Sequence, residues 1–117
     1  MQPIQDPKLI QEPSVVKVVT DLNNDALYFS RSPIPYNRDK SASTSYYEHI
    51  GVYAFRKKAL LDFTSWPLSA LEATEKLEQL RYLEHGVKIR MVKTDYSSIA
   101  IDTPEDLVRA NIHLANI

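Results

Sequence analysis

Four groups of side chains in this sequence have types and spacings that could do chemistry. Asp102 opens the stretch DTPEDL, in which Thr103, Pro104, Glu105 and Asp106 read as a helix start: a hydroxyl cap, proline at the first helical position, then acids favoured by the helix dipole. With a cap already supplied, the Asp102 carboxylate is either a redundant helix-terminus acid or a ligand for a metal ion. Arg31 closes YFSR, where a guanidinium could hold a carboxylate by two parallel hydrogen bonds or simply be solvated at a strand end. His49 and Tyr53 in HIGVY lie four apart on an extended run, so both point to one sheet face with Gly51 between them, and a glycine there leaves room for close approach. A lone strand histidine is more often a satisfied structural residue. Glu78 and Gln79 fall on a helix face opposite Leu77, Leu80 and Leu83, a face that is usually just wet. The basic triplet Arg56, Lys57 and Lys58 reads as a solvated turn.

Composition removes many alternatives. Fourteen basic against 15 acidic side chains leave no electrostatic footprint for nucleic acid or an anionic membrane. No apolar run approaches the roughly 20 residues of a membrane span, and the opening MQPIQDPKLIQEP lacks the apolar core of a signal peptide, so a cytoplasmic location is expected. Without cysteine there is no disulfide framework and no thiolate metal site. Gly51 and Gly86 are the sole glycines, too few and too far apart for a P-loop or a dinucleotide fingerprint. A chain of 117 residues with 44% hydrophobic residues suffices for one small domain or a large piece of one.

The elements that must position these groups follow from local pattern. VVKVVTD (15–21) and ALYFSR (26–31) are β-rich runs joined by the turn cluster DLNND, which suggests a hairpin. SPIPYNRDKSASTSYY is too polar for core and reads as a long loop over a site or partner. EHIGVYAF (48–55) is expected as a third strand, and RKKALLDFTSW as a short helix ending before Pro67. From Ser69 to His85 the pattern is helical, with Ala73, Leu77, Leu80 and Leu83 as its apolar stripe and Gly86 as C-terminal cap. VKIRMVKT alternates as a half-buried strand, SIAI adds a short one, and a last helix from Pro104 to about Ala115 is buried through Leu107, Ala110 and Leu114. Strands interleave with helices, so the fold class is α/β.

The runs VVKVVTD, ALYFSRSPIPYNRD, HIGVYAFR, LEQLRYLEHGVKI and IDTPEDL, in that order, resemble the C-terminal half of the 3-deoxy-manno-octulosonate cytidylyltransferases, the CMP-Kdo synthetases of lipopolysaccharide synthesis. The resemblance covers roughly residues 12 to 112. It implies a nucleotide-diphospho-sugar transferase fold with a mixed β-sheet and flanking helices. It also implies transfer of CMP from CTP to the anomeric hydroxyl of Kdo, an acidic eight-carbon sugar, with release of pyrophosphate and with Mg2+ present. By the same resemblance Arg31, His49, Tyr53, Glu78 and Gln79 hold the sugar, Asp102 is a magnesium-binding carboxylate, and none of them is a covalent nucleophile. The family's CTP-phosphate signature and first metal-binding aspartate belong to an N-terminal half that has no counterpart here. Residues 1–117 are therefore expected to be the sugar-binding and dimerisation half, inactive alone, and a homodimer or higher oligomer. The competing expectation is a non-enzymatic module that binds sugar acids or dimerises.

Overall fold

The computed structural model describes residues 1–96 and 99–117. In chain order the elements are β1 (Gln2–Pro3), α1 (Pro7–Gln11), β2 (Lys17–Thr20), β3 (Ala26–Ser30), β4 (Tyr47–Glu48), α2 (Lys57–Ser65), α3 (Ala70–Glu75), α4 (Gln79–Glu84) and α5 (Pro104–Ala115). The four strands form one sheet in the order β1-β4-β2-β3, every named pair antiparallel. The expected mixed sheet is antiparallel among the described strands; beyond them, Met1 donates its amino N–H to the Val92 carbonyl at 2.7 Å, and the Thr94 N–H donates to the Met1 carbonyl at 2.9 Å.

The expected hairpin is β2 and β3, with Val18 opposite Phe29 and both buried. Its turn is set by chemistry local to DLNND. The Asp21 carboxylate accepts from the backbone N–H groups of Asn23 and Asp25 at 2.8 and 2.9 Å, and Asn24 takes the left-handed conformation that asparagine tolerates. Val18, Phe29, Leu77, Leu80, Met1 and Met91 make the core. Lys17 is also buried, its ammonium donating to the carbonyls of Glu12 and Val15 at 3.0 and 2.6 Å, and desolvation depresses its pKa.

Further expectations meet a different outcome. The third strand spans only Tyr47–Glu48, because β2 runs beside it no further than Lys17 and no described strand lies alongside 50–55 to take up ladder hydrogen bonds. The single helix from Ser69 to His85 is two helices, broken where Lys76 turns left-handed at φ 56°, ψ 46°. VKIRMVKT keeps its alternation, with Met91 buried and Lys88 and Arg90 exposed, but pairs through one bridge, Asp25 to Arg90. Helix α5 begins as read, the Thr103 hydroxyl accepting from the Asp106 N–H at 3.2 Å and the Asp106 carboxylate accepting from the Thr103 N–H at 3.0 Å. It packs through Ala110, however, while Leu107 and Leu114 are 49% and 66% exposed. The short strand expected at SIAI starts on Ser98, outside the described residues, and Ile99 to Ile101 are exposed and not in a strand. A Cα radius of gyration of 15.8 Å, against roughly 13 Å for a compact domain of this length, agrees with a helix that covers little of itself.

Candidate functional site

His49 stands one residue beyond β4, its backbone N–H anchored to the Val16 carbonyl just before β2 at 2.8 Å. The Val52 N–H then closes a tight turn onto the Ile50 carbonyl at 2.8 Å, with Gly51 between them. This turn, and not a shared strand face, brings the two side chains together: the Tyr53 hydroxyl lies 2.5 Å from His49 Nε2. The expected close approach at Gly51 does not come from within the chain, since nothing lies within 4 Å of where a Cβ would stand. Phe29 meets the His49 ring edge-on at 5.2 Å, and Tyr53, Phe55, Tyr82 and Phe63 follow as a run of stacked rings.

Across from this pair, α4 presents Glu78 and Gln79. Its placement depends on the break at Lys76, which is held by Ser30 at the end of β3 and by Arg31 next to it. Arg31 donates from Nε to the Glu75 carbonyl at 2.8 Å, and from its terminal nitrogens to the carbonyls of Lys76 and Pro13 at 3.3 and 3.0 Å. The Glu75 carboxylate accepts from the Ser30 hydroxyl at 2.6 Å and from the Arg31 backbone N–H at 3.0 Å. These contacts clamp the end of α3 and offset the roughly 1–2 kcal/mol that a left-handed non-glycine residue costs.

A cavity of about 410 Å³ results, lined by His49, Tyr53, Glu78 and Gln79, with Lys76 at one side and Phe55, Phe63, Leu77 and Tyr82 as apolar wall. Gln79 is buried, and its amide Nε2 has no hydrogen-bond partner among the described residues. A buried donor without an acceptor costs about 1–3 kcal/mol, so a ligand oxygen reaching it would recover that energy. Burial, with a smaller effect of the nearby Met1 ammonium, lowers the His49 pKa to about 4. Burial, reinforced by the Glu78 carboxylate, raises the Tyr53 pKa to about 12. Both are therefore neutral near pH 7, suited to exchanging hydrogen bonds with hydroxyl groups.

The structure thus brings four of the six sequence candidates together. Arg31 lies outside the cavity and three of its N–H groups are engaged by carbonyls; it reaches the site through the Lys76 peptide it holds. Asp102 is exposed and lines neither of the two principal cavities. Its carboxylate makes no hydrogen bond among the described residues, the capping being done by Thr103 and Asp106, so it is chemically free to ligate. Among the described residues, no group of three or more His, Cys, Asp or Glu could hold a metal ion. A lone carboxylate fits magnesium only as one ligand among others, which is how that ion usually sits beside substrate phosphates. Lys76 was not legible as a site residue, because a lysine in a helical pattern reads as solvated surface.

The cytidylyltransferase family model matches residues 1–89. This chain is a member of the cytidylyltransferase family. The 3-deoxy-manno-octulosonate cytidylyltransferase of Flavobacterium johnsoniae is 57% identical over 117 residues, which cover 100% of this chain and 48% of the relative. That of Solibacter usitatus is 53% identical over 108 residues, covering 92% of this chain and 43% of the relative. A solved structure of CMP:2-keto-3-deoxy-manno-octonic acid synthetase complexed with CTP superimposes with a TM-score of 0.91 at 39% identity, covering 98% of this chain and 47% of that one. The chain therefore has the α/β fold of that synthetase and spans about half the length of the cytidylyltransferases it matches. No helix among the described residues is long and apolar enough to cross a membrane.

Proposed function

We propose that this cytidylyltransferase chain is the sugar-acid-binding half of a CMP-Kdo synthetase, which transfers CMP from CTP to Kdo and releases pyrophosphate. The observation that carries the reading is the convergence of His49, Tyr53, Glu78 and Gln79 on one cavity with the Gln79 Nε2 donor unmatched. A polyol needs several polar groups converging from different elements, and here they come from the turn after β4 and the first turn of α4. His49 and Tyr53, both neutral, would exchange hydrogen bonds with sugar hydroxyls; Gln79 would donate to one and Glu78 accept from another. Arg31 acts by holding the Lys76 turn, and Lys76 brings a positive charge to the cavity of an anionic sugar. The family mechanism is in-line attack of the anomeric oxygen on the α-phosphorus of CTP, so this half contributes binding and orientation. Magnesium, when bound, would neutralise charge on the triphosphate, and Asp102 is the carboxylate of this chain that would ligate it. Use of CTP goes with a cytoplasmic location.

The test is a titration of Kdo into the isotopically labelled chain. Expected are chemical-shift changes at His49, Tyr53 and Gln79, reduced at least tenfold in apparent affinity by Gln79→Met, and no pyrophosphate release when CTP is added. Kdo perturbing only residues outside the cavity would refute the reading.

A further inference from the structure

An anionic sugar needs a cation, and the cavity lined by His49, Tyr53, Glu78 and Gln79 offers a single one. His49 is neutral there and Glu78 is negative, so among the described lining residues Lys76 alone carries positive charge. The other cations nearby are committed elsewhere. Arg31 spends three of its N–H groups on carbonyls. Lys88 and Arg90, which line the adjoining cavity, pair with the Asp25 carboxylate at 3.5 and 2.6 Å, and the Met1 ammonium donates to the Val92 carbonyl. Arg56 lines that second cavity and not the first. Lys76 itself makes no ion pair among the described residues.

The backbone at Lys76 points the same way. At φ 56°, ψ 46° it occupies the left-handed C-cap position that helices usually give to glycine, because a Cβ is crowded there. The turn is held without the lysine side chain: the Lys76 N–H donates to the Glu72 carbonyl at 2.8 Å, and Arg31 donates to the Lys76 carbonyl at 3.3 Å. A strained position therefore keeps a side chain that the turn does not use, a pattern that belongs to ligand sites. A lysine there also complements the dipole of α3, a role that would leave ligand affinity untouched.

We propose that Lys76 receives the carboxylate of the sugar acid and so sets which end of the sugar is presented for reaction. The inference rests on the sugar-acid reading of this cavity. In a 2-keto acid the carboxylate is bonded to the keto carbon, which becomes the anomeric carbon when the ring closes, so fixing the carboxylate places the anomeric oxygen on the next carbon. Glu78 does the opposite work. Its carboxylate, close enough to Tyr53 to reinforce the raised pKa of that phenol, repels a second carboxylate and accepts from hydroxyls. The acidic end of the sugar therefore lies at Lys76 and the polyol end toward Glu78, Gln79 and Tyr53, and the reversed orientation is rejected by the same two charges.

The test is a cycle that changes the protein and the ligand in turn. Kdo and its methyl ester, in which the carboxylate is neutralised, are each titrated into the parent protein and into Lys76→Gly, with binding read by NMR at Gln79. Kdo should bind the parent about tenfold more tightly than it binds Lys76→Gly, since a charge-assisted contact is lost. The ester should bind both proteins within about twofold. Lys76→Arg, which keeps the charge, should stay within about threefold of the parent for Kdo. Glycine suits the left-handed turn, so Lys76→Gly should melt no lower than the parent. Should it fail to fold, the Lys76 side-chain resonances of the parent decide, because Kdo should shift them and the ester should not. Equal affinity of Kdo for the parent and Lys76→Gly, equal loss of acid and ester, or Lys76 resonances that Kdo leaves unmoved would each overturn the proposal. Where Kdo still perturbs His49, Tyr53 and Gln79 in those cases, the sugar reading stands; Kdo that perturbs nothing in the cavity removes both.

Discussion

Replacing Gln79 with methionine should make the protein more stable and less able to bind a sugar. The side chain is buried and its Nε2 has no acceptor among the described residues, a state that costs about 1–3 kcal/mol relative to a matched donor. Methionine has nearly the same length and helix propensity, brings no donor, and keeps the site filled. Some gain is lost with the hydration of the amide oxygen at the cavity surface, so the net stabilisation should be about 1 kcal/mol. For a chain of this size that raises the melting temperature by about 4 °C. Thermal denaturation followed by circular dichroism measures it directly, with Kdo titration on the same samples. A melting temperature equal to or below that of the parent protein would refute the reasoning, since it would mean that the amide is satisfied and that its orientation serves packing.

Stability should depend on pH through His49. Its folded pKa of about 4 lies below the ordinary 6.5, so the unfolded chain binds the proton first; stability is lost as pH falls from about 6.5 towards 4 and levels off below that as far as this group is concerned. Urea midpoints at pH 7, 5.5 and 4.5 should fall more steeply for the parent protein than for His49→Asn; parallel curves would remove the claim. Arg31→Lys keeps the charge but loses the planar fork, so that about two of three carbonyl contacts go and stability drops by about 2 kcal/mol, read from chemical denaturation. In an enzyme assembled with its other half, Asp102→Asn should cut turnover by orders of magnitude, partly restored by excess magnesium, while thermal stability without metal stays within about 0.5 kcal/mol of the parent.

The parts of the fold visible in the sequence were those fixed by neighbours along the chain. The β2–β3 hairpin was legible because Asp21, Asn23 and Asn24 write the turn locally, and the start of α5 because Thr103, Pro104 and Asp106 do the same. The break at Lys76 was invisible: no glycine marks it, and what stabilises it is Arg31, 44 and 45 residues earlier in the chain from the carbonyls it holds. The third strand was overcalled because HIGVYAF has strand composition, whereas a strand also needs a neighbour and only Glu48 finds one in β2. Leu107 and Leu114 were expected inside because apolar periodicity shows which face wants burial, not whether anything covers it. For the site, His49, Tyr53, Glu78 and Gln79 were named through resemblance, but their meeting depends on the turn at Gly51 and the break at Lys76.

Helix α3 has only six residues, far below the roughly 12–15 at which an isolated helix begins to persist in water. It has a local capping box of Ser69 and Glu72 at its start, and both ends are further held from elsewhere. Glu84 Oε1 accepts from the N–H groups of Leu71 and Glu72 at 3.0 and 3.1 Å, and Ser30 and Arg31 hold the far end through Glu75. An order of folding is expected from this: α3 gains most of its stability as the hairpin that grips it and the helix that caps it dock. The hairpin is synthesised first and closes with local contacts, so it is the template on which the later segment condenses. The Lys76 turn, and with it the cavity, belongs to that last step. A chain arrested before it would show a formed hairpin and no cavity, so the cavity in this protein reports on the completion of folding.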